Sequence, residues 1–585
     1  MPTTSLLSVL SHRLNRVPHH QRAVLFLGCI LCLTILSLAT TSRALAQQDT
    51  KDLPPDTQRP NILLVLVDDM GFSDPGCFGG EIQTPTLDRL AGEGIRFTHW
   101  YNFAKCCPTR AALMTGHYPH DVNVPLNGAS LSRDVPTVAE LLRDSGYQTA
   151  HIGKWHLSQD RVFPGAAGFQ APEHLAWINR QTGFDVPFSQ DVWSYPINRG
   201  FQTSYGCVWG VYNFFNPFSL VRGEEAIVDL PHDYYITRDL SREAAEAVTK
   251  MAAKPEPFFM YLAYSAPHWP LQAPTETIDK YNGVYDAGWD DLQQKRYQGA
   301  IDQGILPADT TRPKSSGDLR WEQLDNNAQA CAARRMQTHA AMVDEVDQGL
   351  AKVIAALEQS GELDDTLIIF LSDNGASPEI YLQPGYDRVT ELSDGTPVQY
   401  GQNLPLDVIG SAASNCYLGP GWASAANSPF RYWKMTSYEG GMHTPAIIRW
   451  PGKLGPHFQP GSTSPITAGV QDITATLLEI ANVDYPDQWN GQPLAPLPSH
   501  SFLPALQGQS YHPITKQFFE HAGGAAMIRD GWKIVRRNRQ APWELYHLAE
   551  DPTEVNDIAN DHIQRVQSMT NDWQSWFQQR RSNQK

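Results

Sequence analysis

Five short, mostly apolar runs punctuate the chain, at Ile62 to Val67, Tyr147 to Ile152, Phe258 to Ala263, Leu367 to Leu371 and Ala446 to Trp450, and the first, third and fourth carry no polar residue at all. A strand without polar alternation is stable when both of its faces are covered. Between the runs, Thr137 to Asp144, Arg238 to Ala253 and Ala328 to Gln359 carry apolar residues at helical spacing. The pattern predicts an α/β fold: a mixed, mostly parallel sheet sandwiched by helices. With 585 residues, 41% of them hydrophobic, the chain is long enough for that core and a second domain. Gln159 to Pro217 and Ala376 to Pro429 read as long loops, of the kind that wall a site. After about Leu497 the short runs Met527-Ile528 and Trp532 to Val535 flank a turn at Asp530-Gly531, and a helical stretch starts at Asp561. Residues 59–496 are therefore assigned to the α/β domain and 497–585 to a small α+β domain.

Residues 1–46 have the order of a signal peptide: Arg13, Arg16 and Arg22, an apolar run from Ala23 to Ala39, and Ala44-Leu45-Ala46 before Gln47. The expectation is a secreted or periplasmic protein, cleaved near Gln47, with 47–58 as a polar lead-in. An uncleaved signal anchor is the rival; no other stretch is long and apolar enough to span a bilayer. A net charge of -17 without a clustered basic stretch argues against nucleic acid as a partner. Eight Cys in this length do not make a disulfide-built scaffold.

In open α/β sheets ligands bind beyond the carboxyl ends of the strands. Asp68 and Asp69 follow the first run, Lys154 and His156 the second, His268 the third, and Asp373 and Asn374 the fourth. Taken singly, each has an ordinary use as a cap, a turn residue or a solvated side chain. Together the acids differ, because adjacent carboxylates at a buried strand end repel unless a cation neutralises them. An all-oxygen set of three Asp and one Asn suits a hard divalent ion such as calcium or magnesium. Lys154 and His156, two apart, would point the same way if strand geometry continued.

The segment KCCPTRAALMTG, Lys105 to Gly116, places Cys106 at a helix start, with Pro108 in the first turn and Arg110 one turn on. Free backbone N–H groups and the helix dipole there attract anions and acidify a thiol.

This segment resembles the C-x-P-x-R signature of the type I sulfatases, within the alkaline phosphatase superfamily. The resemblance runs from about Arg59 to Asp557 and includes GKWHL at 153–157, SAPHWPLQAP at 265–274, DNG at 373–375, NSPFRYWKMTSYEGGMHTPAIIRWP at 427–451 and ELYHLAEDPTEVNDIA in the tail. Within the family the chain is most similar to bacterial arylsulfatases of the Pseudomonas type. The resemblance implies that Cys106 is oxidised to Cα-formylglycine by a maturation enzyme. It implies that Asp68, Asp69, Asp373 and Asn374 hold calcium beside it. It further implies that Arg110 holds the formylglycine diol, that Lys154, His268 and Lys434 bind the sulfate oxygens, and that His156 partners the second hydroxyl. Two positions depart from the pattern: Ser158 replaces a Gly, and Tyr438 stands where close relatives commonly have His.

The implied reaction is hydrolysis of a sulfate ester, releasing alcohol or phenol and sulfate. Trp177, Trp193, Trp209, Tyr212, Phe214 and Phe215 are candidates to flank an aryl group or a sugar, though packing is their commoner use. Two alternatives stand: a phosphonate or phosphate diester hydrolase of the same superfamily, and a non-catalytic sulfated-glycan binding protein in which Cys106 stays a thiol.

Overall fold

The computed structural model describes residues 59–158, 176, 192–317, 319–385, 388–509 and 516–583. Residues 1–46 and 47–58, and Trp177, lie outside this set. Among the described residues ten strands form the principal sheet: β1 (Asn61–Val67), β2 (Ile95–Tyr101), β3 (Gln148–Gly153), β4 (Thr203–Cys207), β5 (Leu220–Arg222), β6 (Glu225–Ala226), β7 (Phe258–Ala263), β8 (Thr366–Ser372), β9 (Ala446–Arg449) and β10 (Ser462–Gly469). Across the sheet the order is β10-β2-β9-β8-β1-β7-β3-β4-β5-β6. From β8 to β4 every pairing is parallel. β9 runs antiparallel to both its neighbours, and β5 and β6 close one edge with antiparallel pairings.

β1 shows why the apolar runs lack alternation. Leu63, Val65 and Val67 enter the core on one face, and Ile62, Leu64 and Leu66 the core on the other. The first face is covered by helices Ile236–Ala252 and Asn326–Ser360, the second by Cys106–Thr115, Val138–Asp144 and Asp472–Ala481. Local chemistry sets the helix ends. Thr137 and Glu140 form a reciprocal capping box, and Asp325 caps the long helix, which stops at Gly361 with φ 77°.

Two segments with loop-like composition contain regular structure. Of Gln159 to Pro217, residues 159–175 and 177–191 lie outside the described residues, and the rest is not loop throughout: Thr203–Cys207, short and mostly polar, joins the sheet as β4. Ala376 to Pro429 is mostly irregular but contains the helix Pro420–Ala426. β2 and β10 carry no continuous apolar run, and β10 breaks register between Ser464 and Thr467, around Pro465, which has no N–H to donate.

The smaller carboxyl-terminal domain is an antiparallel meander of β11 (Lys516–His521), β12 (Gly524–Arg529), β13 (Trp532–Arg536) and β14 (Glu544–His547), crossed by helix Ile563–Asn583. Asp530 and Gly531 have φ 54° and 78°, the left-handed pair that a two-residue hairpin requires. Met569, Trp573 and Trp576 of the helix pack on Ala525, Met527, Ile534 and Leu545. Lys533 ties this domain to the main one: its ammonium lies 2.7 Å from Glu439 Oε1 and 2.7 Å from Glu554 Oε1, all three side chains being buried. No described helix is long and apolar enough to cross a membrane.

Candidate active site

The ends of β1, β7 and β8 are laced together just past the sheet. Asp373 N donates to Val67 O at 3.0 Å and Asp68 N to Ala266 O at 3.3 Å. This brings Asp68, Asp69, His268, Asp373 and Asn374 into one buried cluster. Asp69 turns into it with φ 67°.

Arg110, on the helix that opens at Cys106, is fully buried and links the set. Nη2 donates to Asp373 Oδ2 at 2.8 Å and to Asp68 Oδ2 at 3.2 Å, Nε to Asp373 Oδ2 at 3.1 Å, and Nη1 to the Lys154 carbonyl at 3.0 Å. The Lys154 ammonium pairs with Asp68 Oδ2. Lys434 donates to Asp69 Oδ1 at 2.6 Å, which also accepts from Asn374 Nδ2 at 2.6 Å. His268 Nε2 lies 3.6 Å from Asp69 Oδ2.

Cys106 begins the helix after the extended residue Lys105 and is buried. A ring nitrogen of His156 and the sulfurs of Cys106 and Cys107 lie within 4.8 Å of one another. Strand geometry does not carry Lys154 and His156 there as expected: β3 stops at Gly153, and His156 takes φ 59°. The Cys106 thiol is held well below its ordinary range by a hydrogen bond with Cys107, and His156, Lys154 and Lys434 add to this against burial.

The acids show that negative charge is crowded. Burial, reinforced by Asp68 and Glu379 against Lys434, pushes Asp69 up to about 7. Burial and Asp68 together push Asp373 well above the carboxylate range. Asp68 itself is held low: Lys154, His268 and Arg110 overcome its burial. Asp68 Oδ1, Asp69 Oδ2 and Asn374 Oδ1 are buried and meet no donor among the described residues. Three orphaned oxygens beside crowded carboxylates fit a hard divalent cation.

Two contributors escaped the sequence reading. Glu379, buried, faces Lys105 at 3.2 Å and Lys434 at 3.5 Å, and so fixes the lysine that reaches Asp69. Its signal was an acid six residues beyond Asp373, hidden in a stretch read as loop. Gly210 lies against the His156 ring: a Cβ there would come within 2.1 Å of it. Trp209, Tyr212 and Phe214 are core residues, and Phe215 packs against the same core. Trp193 lies under Arg133, whose guanidinium carbon is 4.0 Å from the ring centroid. Tyr438 turns away to donate to Glu544 of β14 at 2.7 Å, and Ser158 is buried.

The chain belongs to the sulfatase family, whose model matches residues 60–483. It is therefore a sulfuric ester hydrolase. A second model, described as the carboxyl-terminal part of N-sulphoglucosamine sulphohydrolase, matches residues 430–582. The chain is 30% identical over 558 residues to an uncharacterised sulfatase of Schizosaccharomyces pombe, covering 88% of this chain and 93% of the relative. It is 31% identical over 464 residues to an arylsulfatase of Klebsiella aerogenes, covering 75% and 90%. Its fold is similar to the crystal structure of Ps i-CgsB in complex with k-i-k-neocarrahexaose, with a TM-score of 0.60, 24% identity, and 89% and 93% of the two chains covered.

Proposed function

We propose that this sulfatase is of the arylsulfatase type and acts through a formylglycine made from Cys106 beside a bound calcium ion. The observation that carries the reading is the buried junction of a helix-start Cys106 with Lys154, His156, Lys434 and Arg110 around three orphaned carboxylate and amide oxygens. Asp68, Asp69, Asp373 and Asn374 would hold the ion, with the side chain at 106 alongside. The hydrated aldehyde supplies one hydroxyl to attack sulfur and a second that lets sulfate leave, which a plain Ser or Cys lacks; the ion supplies positive charge.

The chain's own residues do the rest. Arg110 positions the side chain at 106 against Asp373. His156 takes a proton from that side chain through the ring nitrogen that faces it. Lys154, Lys434 and His268 surround the sulfuryl oxygens in a site closed to bulk water, where fixed positive charge is most effective. Protonation of the leaving oxygen falls to His268 or Lys434.

Cys106 is 1% exposed, so its oxidation by a formylglycine-generating enzyme must precede closure of the fold. Residues 1–46 support export to the periplasm or beyond. The arylsulfatase relative supports a phenolic leaving group, and Trp209, Tyr212 and Phe214 are packed in the core. The test is turnover of an aryl sulfate against an aryl phosphodiester by the matured protein, before and after chelation. Preferential sulfate release, lost on chelation and restored by calcium, supports the reading; a preference for the diester, or indifference to chelation, contradicts it.

A further inference from the structure

Seven arginines among the described residues are buried, and six of them, Arg96, Arg110, Arg199, Arg296, Arg335 and Arg449, donate to a carboxylate or a carbonyl. Arg388 is the exception. It is 4% exposed, and among the described residues its Nε meets no acceptor and no carboxylate pairs with its guanidinium. It stacks on aromatic rings instead, 4.5 Å from the centroid of Tyr381 and 6.0 Å from that of Trp269. An aromatic face returns only part of what a guanidinium loses on leaving water.

A second donor in the same box is equally unanswered. Tyr417 is fully buried, its hydroxyl meets no partner among the described residues, and its ring lies 5.2 Å from Trp269 and 5.8 Å from Tyr381. The Arg388 charge acts on that hydroxyl. Two buried donors with no acceptor among the described residues define a place for an oxyanion.

The box shares a wall with the sulfate end of the site. Trp269 follows His268, with ring centroids 4.8 Å apart, and its indole nitrogen donates at 3.3 Å to Glu379, the acid that also faces Lys434. We propose that Arg388 and Tyr417 form a subsite for a second oxyanion, carried on the alcohol half of the sulfate ester one indole width from the ester that is cleaved. The preferred substrate is then a dianion: a sulfate ester that also bears a carboxylate or a second sulfate. This rests on the sulfatase reading and narrows its substrate class.

The test uses the matured full-length enzyme with phenyl sulfate, 4-carboxyphenyl sulfate and benzene-1,4-diyl disulfate, the last two distinguishing the source of the oxyanion. The wild type should favour at least one dianion in kcat/KM by about tenfold or more, mainly through KM. Arg388→Gln should erase that preference while phenyl sulfate turnover stays within about twofold, and Tyr417→Phe should erase part of it. Equal loss on all three esters, or no preference in the wild type, overturns the proposal. Thermal shift with 4-sulfobenzoate, which is not hydrolysed, tests the subsite without turnover, using benzenesulfonate as control. A shift specific to the dianion and lost in Arg388→Gln supports it; no such shift overturns it, whatever the esters show. Inactivity on every ester together with a retained shift would count against the sulfatase reading instead. Because Arg388 has no ion pair to lose among the described residues, Arg388→Met should melt no lower than the wild type. A clear drop in melting temperature with an unchanged ester preference would mark the residue as structural and overturn the assignment.

Discussion

Lys434 Nζ lies 2.6 Å from Asp69 Oδ1, a contact between residues 365 apart in the chain. Asn374 donates to the same oxygen at 2.6 Å, so Oδ1 is committed to the protein while Oδ2, one of the three orphaned oxygens, lies 3.6 Å from His268 Nε2. One carboxylate thus divides its work between anchoring a cation and facing the reaction. Lys434→Met should lower kcat by about 10²- to 10³-fold, the usual loss when a preorganised charge-stabilising group goes. Lys434→Arg should not restore it, because a planar guanidinium does not fit a buried point-charge site. Steady-state kinetics of the two variants check this, and near-normal turnover in Lys434→Met would remove the lysine from the site.

Gly210 makes a separate demand. A methyl group there would press on the His156 ring at 2.1 Å, and the ring is the neighbour that must move. Gly210→Ala should therefore reduce kcat by about 10-fold or more, with a stability loss of about 1–3 kcal/mol from overpacking. Turnover at wild-type rate would show that the ring position is not critical.

Acid should weaken the fold through buried histidines. Burial holds His99 down to about 4 with help from His443, His117 to about 4 with help from Arg580, and His521 to about 4 with help from Lys105. Unfolding returns each to about 6.5, so the unfolded chain binds more protons between these values. The stabilisation is whole above about pH 6.5 and is lost as pH falls toward 4, by up to about 3 kcal/mol per histidine. Melting temperature measured from pH 7.5 to 4.5 should fall, and His521→Asn should flatten the fall. A constant melting temperature over that range contradicts the prediction.

Much of this architecture is legible in the sequence. The runs at Ile62, Phe258 and Leu367 are the adjacent strands β1, β7 and β8, and each ends at the acids or histidine that the site uses. Apolar continuity reports burial on two faces, which is why it succeeded there. It says nothing about direction or partner, so the antiparallel course of β9 was not legible. β2 and β10 lie toward an edge and mix polar with apolar residues, which erases the signal. Glu379, Gly210 and Arg388 matter through what they touch across the fold, and spacing along the chain carries no trace of that.

The two domains should part energetically at Lys533. Its ammonium neutralises Glu439 and Glu554 together, and Glu439 also binds His443 at 2.9 Å and Tyr101 at 3.2 Å. Lys533→Met leaves two buried acids facing each other and should cost about 3–5 kcal/mol. Adding Glu439→Gln and Glu554→Gln should return part of that loss. Denaturant unfolding of the single and triple variants measures both, and an unaffected single variant would show that the buried group is not a fastening.

The chemistry of the site turns on what the side chain at position 106 is in the active protein. The deciding measurement is mass spectrometry of the tryptic peptide Cys106 to Arg110, taken from the same preparations in which sulfate release is assayed, with and without co-expressed maturation enzyme. The account predicts the mass of the aldehyde in active samples, activity in proportion to the aldehyde fraction, and none in Cys106→Ala. Full sulfate release from protein whose peptide carries an intact thiol would contradict it.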